Sequence, residues 1–343
     1  MLNVEHIFNP YTKEVLMKII KKWLVSLCML TFLLPLASSL KADDHKKLTI
    51  ALLPGVVDPF YFTMHRGAKH AAEALGVNLL FQVPKQWNVS VQVPILNAII
   101  AKKPDAILIA PTDKVQLIAP LQAAVDQGIK VITVDTFIDD GKYQDGSGRG
   151  DFPLSYIASD NVLGGRMAAR ALAKAINNKG KVYVSNTVPG VSTTDQREEG
   201  FRLEIKNFPS ISLLKTQFNE DDANKAAAQL QAVAARNPDL AGVFGANLFS
   251  AIGAADGVKA IGKAGKIKVV AFDAPSRIVN DIKSGLIDLA IAQHPAEIGY
   301  YGVVTAYAAL TGQSIPVMIG TGFTVMDASN IDDPEIQKYI YSD

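Results

Sequence analysis

The chain has 343 residues, enough for two domains of ordinary size, and its 49% hydrophobic and 20% charged residues fit a compact fold rather than a disordered chain. A formal net charge of +1 leaves no basic stripe for a nucleic-acid partner. The single cysteine, Cys28, excludes a structural disulfide, a zinc–thiolate site and a nucleophile with a resolving cysteine within one chain.

The first segment reads as an export signal. From Met17, the lysines Lys18, Lys21 and Lys22 precede an apolar run from Trp23 to about Leu36, and Ala37, Ser38, Ser39 and Ala42 supply small residues for cleavage. That run is shorter than the roughly 20 residues of a membrane span. Met17 is a better start than Met1, because Glu5 and Glu14 dilute the positive segment. Cys28 follows Leu27 inside the apolar run, which argues against a lipid-modified cysteine; an uncleaved N-terminal anchor is the alternative. Removal of residues 1–42 takes away five lysines and two glutamates, so the mature chain carries about −2 and no cysteine.

From Lys47 onward, short apolar runs alternate with amphipathic stretches. The runs LTIALL (48–53), VNLLFQV (77–83), DAILIA (105–110) and KVITVD (130–135) have strand length. Helices are expected from Pro59 to about Gly76, Val89 to Lys102 and Val115 to Gln127. After the Gly-rich stretch from Gly141 to Pro153 a second series begins, with strands at KVYVS (181–185), SLLKTQ (212–217), AGVFGA (241–246), KVVAFD (268–273) and DLAIAQ (288–293). Helices from Asn161 to Asn178 and from Asp221 to Arg236 fit between them. Runs this apolar, separated by helices, indicate parallel strands buried on both faces. Two such series predict an α/β protein with two doubly wound, Rossmann-like parallel-sheet lobes.

Open sheets of this kind collect ligands beyond the carboxyl ends of their strands. That rule singles out Asp58, Phe60 and Tyr61 after the first strand, Asp135 after the fourth, and Asn247, Asp273 and Gln293 in the second series. Each polar one alone has a plainer reading as a turn or helix-cap residue. Enzyme signatures are absent. LLPGVVDPF has one glycine where a dinucleotide loop needs two or three, no Walker A pattern occurs, and GVSTT (190–194) lacks the second glycine of a nucleophile elbow. His65 and His70, at i and i+5, sit on different helix faces and read as surface histidines rather than metal ligands. No catalytic residue, metal or cofactor is expected. Asn88-Val89-Ser90 matches a glycosylation acceptor by chance, given the bacterial-looking leader.

The stretches TIALLPGVVDPFYFTMHRGAKHAAEALG, ILIAPTD, IKVITVDT, YIASDNVLGGRMAA, TTDQREEGF, VVAFDAPS and LAIAQHPAEIGYYGV, in this order, resemble the type I periplasmic binding proteins, and most closely their ribose-binding branch. The resemblance covers nearly everything from Leu48 to about Gly312. LacI-type repressors share the core, but an N-terminal helix-turn-helix precedes theirs, where this chain has a signal peptide. The resemblance implies a sugar or polyol captured in an interlobe cleft for the membrane permease of an ABC importer, by a periplasmic monomer that a chemoreceptor could also read. It implies hinges near Ile157–Asp160, His294–Pro295 and Thr321–Phe323. Residues 43–158 with 294–322 then form one lobe, and 159–293 with 323–343 the other. Asp160 and Asn161 double as helix caps.

Carried over one at a time, Phe60 and Tyr61 would flank a sugar ring, Asp135 would accept from hydroxyls and Arg197 would donate from the second lobe. Asn247, Asp273 and Gln293 complete the set, beside Asp58. This is sound chemistry, since ionised Asp and Arg give hydroxyls charge-assisted bonds and ring faces cover C–H groups. A purely structural Arg197 would instead pair with Glu198 or Glu199. The chain departs from the ribose pattern at Thr136, where an arginine is expected, at Ala110, where an asparagine is, and at Asn219–Asp221, where an aromatic lid is missing and Phe218 is the nearest substitute. A second resemblance, carried by VPKQWNVSVQVPILN, STTDQ and KTQFNEDDA, is to autoinducer-2 receptors of the same superfamily. It would bring Asp135, Asp195 and Gln196 to the ligand, although Pro54, Gly55 and Val56 stand where that branch has a lysine.

Overall fold

The computed structural model describes residues 47–141 and 152–342. The expected export signal with Cys28, together with His6, His45 and most of the Gly-rich stretch, lies outside the described residues. The first series runs β1 (Thr49–Leu53), α1 (Pro59–Leu75), β2 (Asn78–Phe81), α2 (Val89–Ala101), β3 (Ala106–Ile109), α3 (Ile118–Val125), β4 (Lys130–Val134) and β5 (Tyr156–Ser159). The second runs α4 (Asn161–Ala175), β6 (Gly180–Asn186), α5 (Ser192–Ile205), β7 (Ile211–Leu213), β8 (Gln217–Phe218), α6 (Ala223–Arg236), β9 (Leu240–Gly245), α7 (Leu248–Ala260), β10 (Lys268–Phe272), α8 (Ser276–Lys283) and β11 (Leu289–Gln293). The remaining chain holds α9 (Pro295–Leu310), β12 (Met318–Thr321), β13 (Phe323–Asp327) and α10 (Pro334–Gln337).

Two sheets result, ordered β12-β5-β4-β3-β1-β2 and β13-β11-β10-β9-β6-β7, with β8 beside the far end of β6. All pairs are parallel except β11–β13. Each sheet is therefore doubly wound, its first strand beside its third. The chain passes from one sheet to the other three times, after Ser159, after Gln293 and between Thr321 and Phe323.

The apolar runs are strands because both faces of each sheet are covered. In β1 and β3, Ile50, Leu52, Ala106 and Leu108 join one core, while Ala51, Leu53, Ile107 and Ile109 join the core on the opposite face. The second sheet repeats this, with Val182, Val184, Phe244 and Phe272 on one side and Tyr183, Val243, Val269 and Ala271 on the other. A strand of period 2 between two helical layers has no polar face to show.

Three expected boundaries shift. SLLKTQ splits into β7 and β8, because Thr216 turns its hydroxyl to Glu198 (2.6 Å) and the Arg202 guanidinium (2.7 Å). The helix expected from Val115 begins only at Ile118, since the Asp113 carboxylate holds the Val115 and Gln116 amides in a turn at 2.8 Å. The helix from Asn161 stops at Ala175, before Asn177 and Asn178 take positive φ.

One helix pair positions a site residue. A Cβ on Gly165 would lie 2.0 Å from the Arg197 carbonyl oxygen, and one on Gly200 would lie 2.0 Å from that of Val162. Only glycines let α4 and α5 approach this closely, and Arg197 stands on α5 at that contact.

Candidate ligand-binding site

The carboxyl ends of both sheets open onto one shared cavity. Asp58, Phe60, Tyr61 and Asp135 line it from the first sheet, and Arg197, Asn247, Asp273 and Gln293 from the second. The structure thus brings together all eight residues singled out by the strand-end rule and the family resemblance.

Asp135 and Asp273 occupy equivalent places. Each follows a buried strand, takes a left-handed backbone conformation (φ 61° and 73°), and donates its amide to the neighbouring strand, at Ile157 O and Ile291 O. Aspartate tolerates that conformation better than most residues, and the turn lifts its carboxylate out of the sheet into the cavity. Tyr61 donates its hydroxyl to Asp135 Oδ2 at 2.7 Å, and Gln293 Nε2 donates to Asp273 Oδ1 at 2.8 Å.

Arg197 is 3% exposed. Its Nε donates to Asn161 Oδ1 (2.8 Å), its Nη1 to the Ala246 carbonyl (2.9 Å), and its guanidinium lies 3.9 Å over the Phe272 ring. The same Nη1 is 3.9 Å from Asp273 Oδ2. Pairing with Glu198 does not occur, because Glu198 is held by Arg202, Asn186 and Thr216. The plain cap reading also holds for two cavity residues. Asp58 accepts from the Tyr61 amide at the start of α1, and Asn247 from the Ser250 amide at the start of α7. Asp160 caps α4 through the Leu163 amide, whereas Asn161 instead fixes Arg197. Phe60 and Tyr61 line the cavity and pack into the core together.

The lining has members that the sequence did not single out. Trp87 enters from the loop after β2, nearly parallel to the Tyr61 ring with centroids 6.4 Å apart. Asp221 enters beyond β8, at φ 62°, and accepts from Asn247 Nδ2 at 2.6 Å. Thr187, Thr193 and Thr194 also line the second side, with Val191 and Leu248. A tryptophan in the polar loop PKQWN was the signal available for Trp87, and Asp221 falls in the stretch 219–221 where the ribose pattern has its aromatic lid. The expected aromatic substitute fails, since Phe218 lines an outer groove with Asp195, Glu198, Glu199, Arg202 and Leu203. Asp195 faces that groove and accepts from the Gly190 amide, and Gln196 is not in the cavity lining, so of the autoinducer set only Asp135 lines the cavity. Thr136 turns away to the Pro111 carbonyl at 2.8 Å. His65 is half-buried, stacked on Phe81 at 4.0 Å, while His70 is exposed.

Four carboxylates face one guanidinium here. Burial pushes Asp135 up to about 6, against the opposing pull of Arg197 and the Tyr61 hydroxyl. Burial likewise pushes Asp221 up to about 6, opposed by the Asn247 amide, and raises Asp58 well above the usual carboxylate range. Tyr61 is held far above its ordinary value, first by burial and then by Asp135, so it remains a donor. Trp87 Nε1 and Gln293 Oε1 are buried with no partner among the described residues. Among those residues no cluster of His, Cys, Asp or Glu could hold a metal ion.

Two doubly wound sheets that share one cavity at their carboxyl ends, lined by rings, carboxylates and a buried guanidinium, define a solute-binding protein of the periplasmic type. The chain belongs to the periplasmic binding protein family, whose domain model matches residues 50–314. It is 31% identical to a ribose import binding protein of Haemophilus influenzae, over 85% of this chain and 94% of that one. An ABC transporter solute-binding protein of Agrobacterium vitis, solved with α-D-tagatopyranose bound, is 66% identical; the match covers 87% of this chain and 100% of that one at a TM-score of 0.85. A periplasmic solute-binding protein of Actinobacillus succinogenes, solved with D-allose, is 28% identical over 84% of this chain and 100% of that one, at a TM-score of 0.77.

Proposed function

We propose that this chain captures a monosaccharide or a related polyol in the cavity, in the periplasm, and presents it to the permease of an ABC importer. The observation that carries the reading is the pairing of the lining with the identity to the Agrobacterium vitis protein, whose bound ligand is a hexose in pyranose form. On this reading Asp58, Asp135, Asp221 and Asp273 accept from ring hydroxyls, Arg197 donates, and Trp87 offers a buried N–H. The Phe60, Tyr61 and Trp87 rings cover C–H surface. Each hydroxyl left unmatched in so enclosed a place costs about 1–3 kcal/mol, which is the source of discrimination.

Capture needs the halves to move. The three crossings at Ser159, Gln293 and Thr321 act as the hinge, with residues 43–158 and 294–322 as one lobe and 159–293 and 323–343 as the other. The ligand leaves chemically unchanged, so the protein carries and does not convert.

A thermal-shift screen of the mature chain against ketohexoses, aldohexoses, pentoses, polyols and autoinducer-2 tests this. A true ligand at 100 times its Kd adds about 2.7 kcal/mol of stability. Tagatose is the first sugar to try. Absence of a shift with every monosaccharide and polyol overturns the reading.

A further inference from the structure

The segment after α10 lies beyond the stretch matched by the family model, yet it reaches the site. Tyr341 is fully buried. Its amide donates to the Ala274 carbonyl at 2.9 Å, which pins the segment beside Asp273. Its hydroxyl accepts the Gln293 backbone N–H at 2.7 Å and lies 3.3 Å from both Asp273 Oδ1 and the Gln293 carbonyl. Asp273 Oδ1 also receives Gln293 Nε2, so hydroxyl, carboxylate and amide close a ring of hydrogen bonds around one oxygen. Oδ2 is then the oxygen left to face Arg197 and the cavity.

The same segment touches the other sheet's elements. The Tyr341 ring meets Phe60 edge-on with centroids 5.7 Å apart, and Ser342 Oγ accepts from Arg66 Nη2 at 2.7 Å. Two residues earlier, Tyr339 stacks on His294, at one of the crossings, with centroids 4.0 Å apart.

We infer that Tyr341 is a positioning residue of the ligand site, holding the Asp273 carboxylate and the Gln293 side chain in the orientation that receives the sugar. The inference rests on the sugar-capture reading. A phenol suits the task because one oxygen accepts a backbone N–H while offering its own hydrogen to a carboxylate. Its ring fills the space between Phe60 and the second sheet, so the hydroxyl is presented from a packed and immobile body. Burial and the neighbouring Asp273 charge keep the phenol protonated.

The test is calorimetry on Tyr341→Phe, with whichever monosaccharide the wild-type protein binds. Loss of the hydroxyl should weaken binding about tenfold, the worth of one hydrogen bond to a charged group. In an Asp273→Asn background, read at millimolar sugar because that change alone weakens binding, the same change should cost less than about threefold, since the hydroxyl then meets a neutral amide oxygen in place of the carboxylate. A general loosening of the fold would instead cost the same factor in both backgrounds, and that result overturns the positioning role. Wild-type affinity in Tyr341→Phe overturns it as well, and so does a Tyr341→Phe chain that does not fold, which assigns the residue to the core alone. If wild-type protein binds no monosaccharide, the failure belongs to the capture reading on which the inference stands.

Discussion

Asp273 and Arg197 were marked in the sequence by their neighbours, and the fold brings Arg197 Nη1 to 3.9 Å from Asp273 Oδ2. Both are buried on the second sheet's side of the cavity, whereas Gln196, one residue from Arg197, is absent from the lining. Truncation of a buried charge-assisted contact costs on the order of 2–4 kcal/mol, or roughly 30- to 1,000-fold in affinity. Asp273→Ala and Arg197→Ala should therefore each abolish practical binding, while Gln196→Ala changes it less than about tenfold. Titration calorimetry, with circular dichroism to confirm folding, checks this. A damaging Gln196→Ala beside a silent Arg197→Ala would return the site to the autoinducer arrangement.

Asp135 and Asp221 also set a pH dependence. Both are pushed up to about 6 by burial, so the ligand-free protein holds protons there that the unfolded chain has lost above the usual value of 3.8. Their contribution to stability is fully present below about pH 4 and is lost as pH rises through about 6. Sugar hydroxyls donate to the ionised form, so binding releases protons and affinity climbs over the same window, then levels off. Calorimetry at about pH 5.5, in two buffers of different ionisation heat, should show proton release; uptake would contradict it.

Among the helices, one close crossing sets where a site side chain falls. The α4–α5 crossing depends on Gly165 and Gly200, and Arg197 lies on the same face of α5. Gly200→Ala would put a methyl group 2.0 Å from the Val162 carbonyl oxygen, a backbone atom that cannot step aside. Forced separation of this kind costs about 1–3 kcal/mol. Denaturant unfolding should register that loss, and ligand affinity should fall with it because Arg197 moves off Asn161 and Asp273. An unchanged affinity would show that α5 is free to shift without carrying its arginine. The strand ends themselves were readable from apolar runs that stop at a polar residue. The split of β7 from β8 was not, because the hydroxyl of Thr216 answers to residues of α5 that only folding brings near.

For the whole molecule, the reading requires motion between two sheets whose chain crosses three times. Small-angle scattering of the mature protein should give a smaller radius of gyration at saturating ligand, as hinge closure demands. An identical profile with and without ligand would refute cleft closure. The segment from Met17 to Ala42, expected from its sequence to direct export, gives a second prediction. Expression with the native leader in a Gram-negative host should yield periplasmic protein beginning between about Leu40 and Asp43, read by N-terminal sequencing, and full-length protein in the cytosol would refute it.

The order of residues along the chain was enough to read the alternation of buried strands with helices and, through the rule of carboxyl ends, several of the polar residues that line the cavity. Those are local facts, because period, apolar runs and caps are written within a few residues of one another. Asp58, Asp135, Asn247 and Asp273 could be found that way. Which further rings and carboxylates join the lining depends on contacts between distant segments. Trp87 and Asp221 reach it from loops with no periodicity, and Tyr341 reaches Asp273 across 68 residues of chain. No local pattern encodes a contact made by a segment folding back over both sheets, so the orientation of the Asp273 carboxylate belongs to the fold alone.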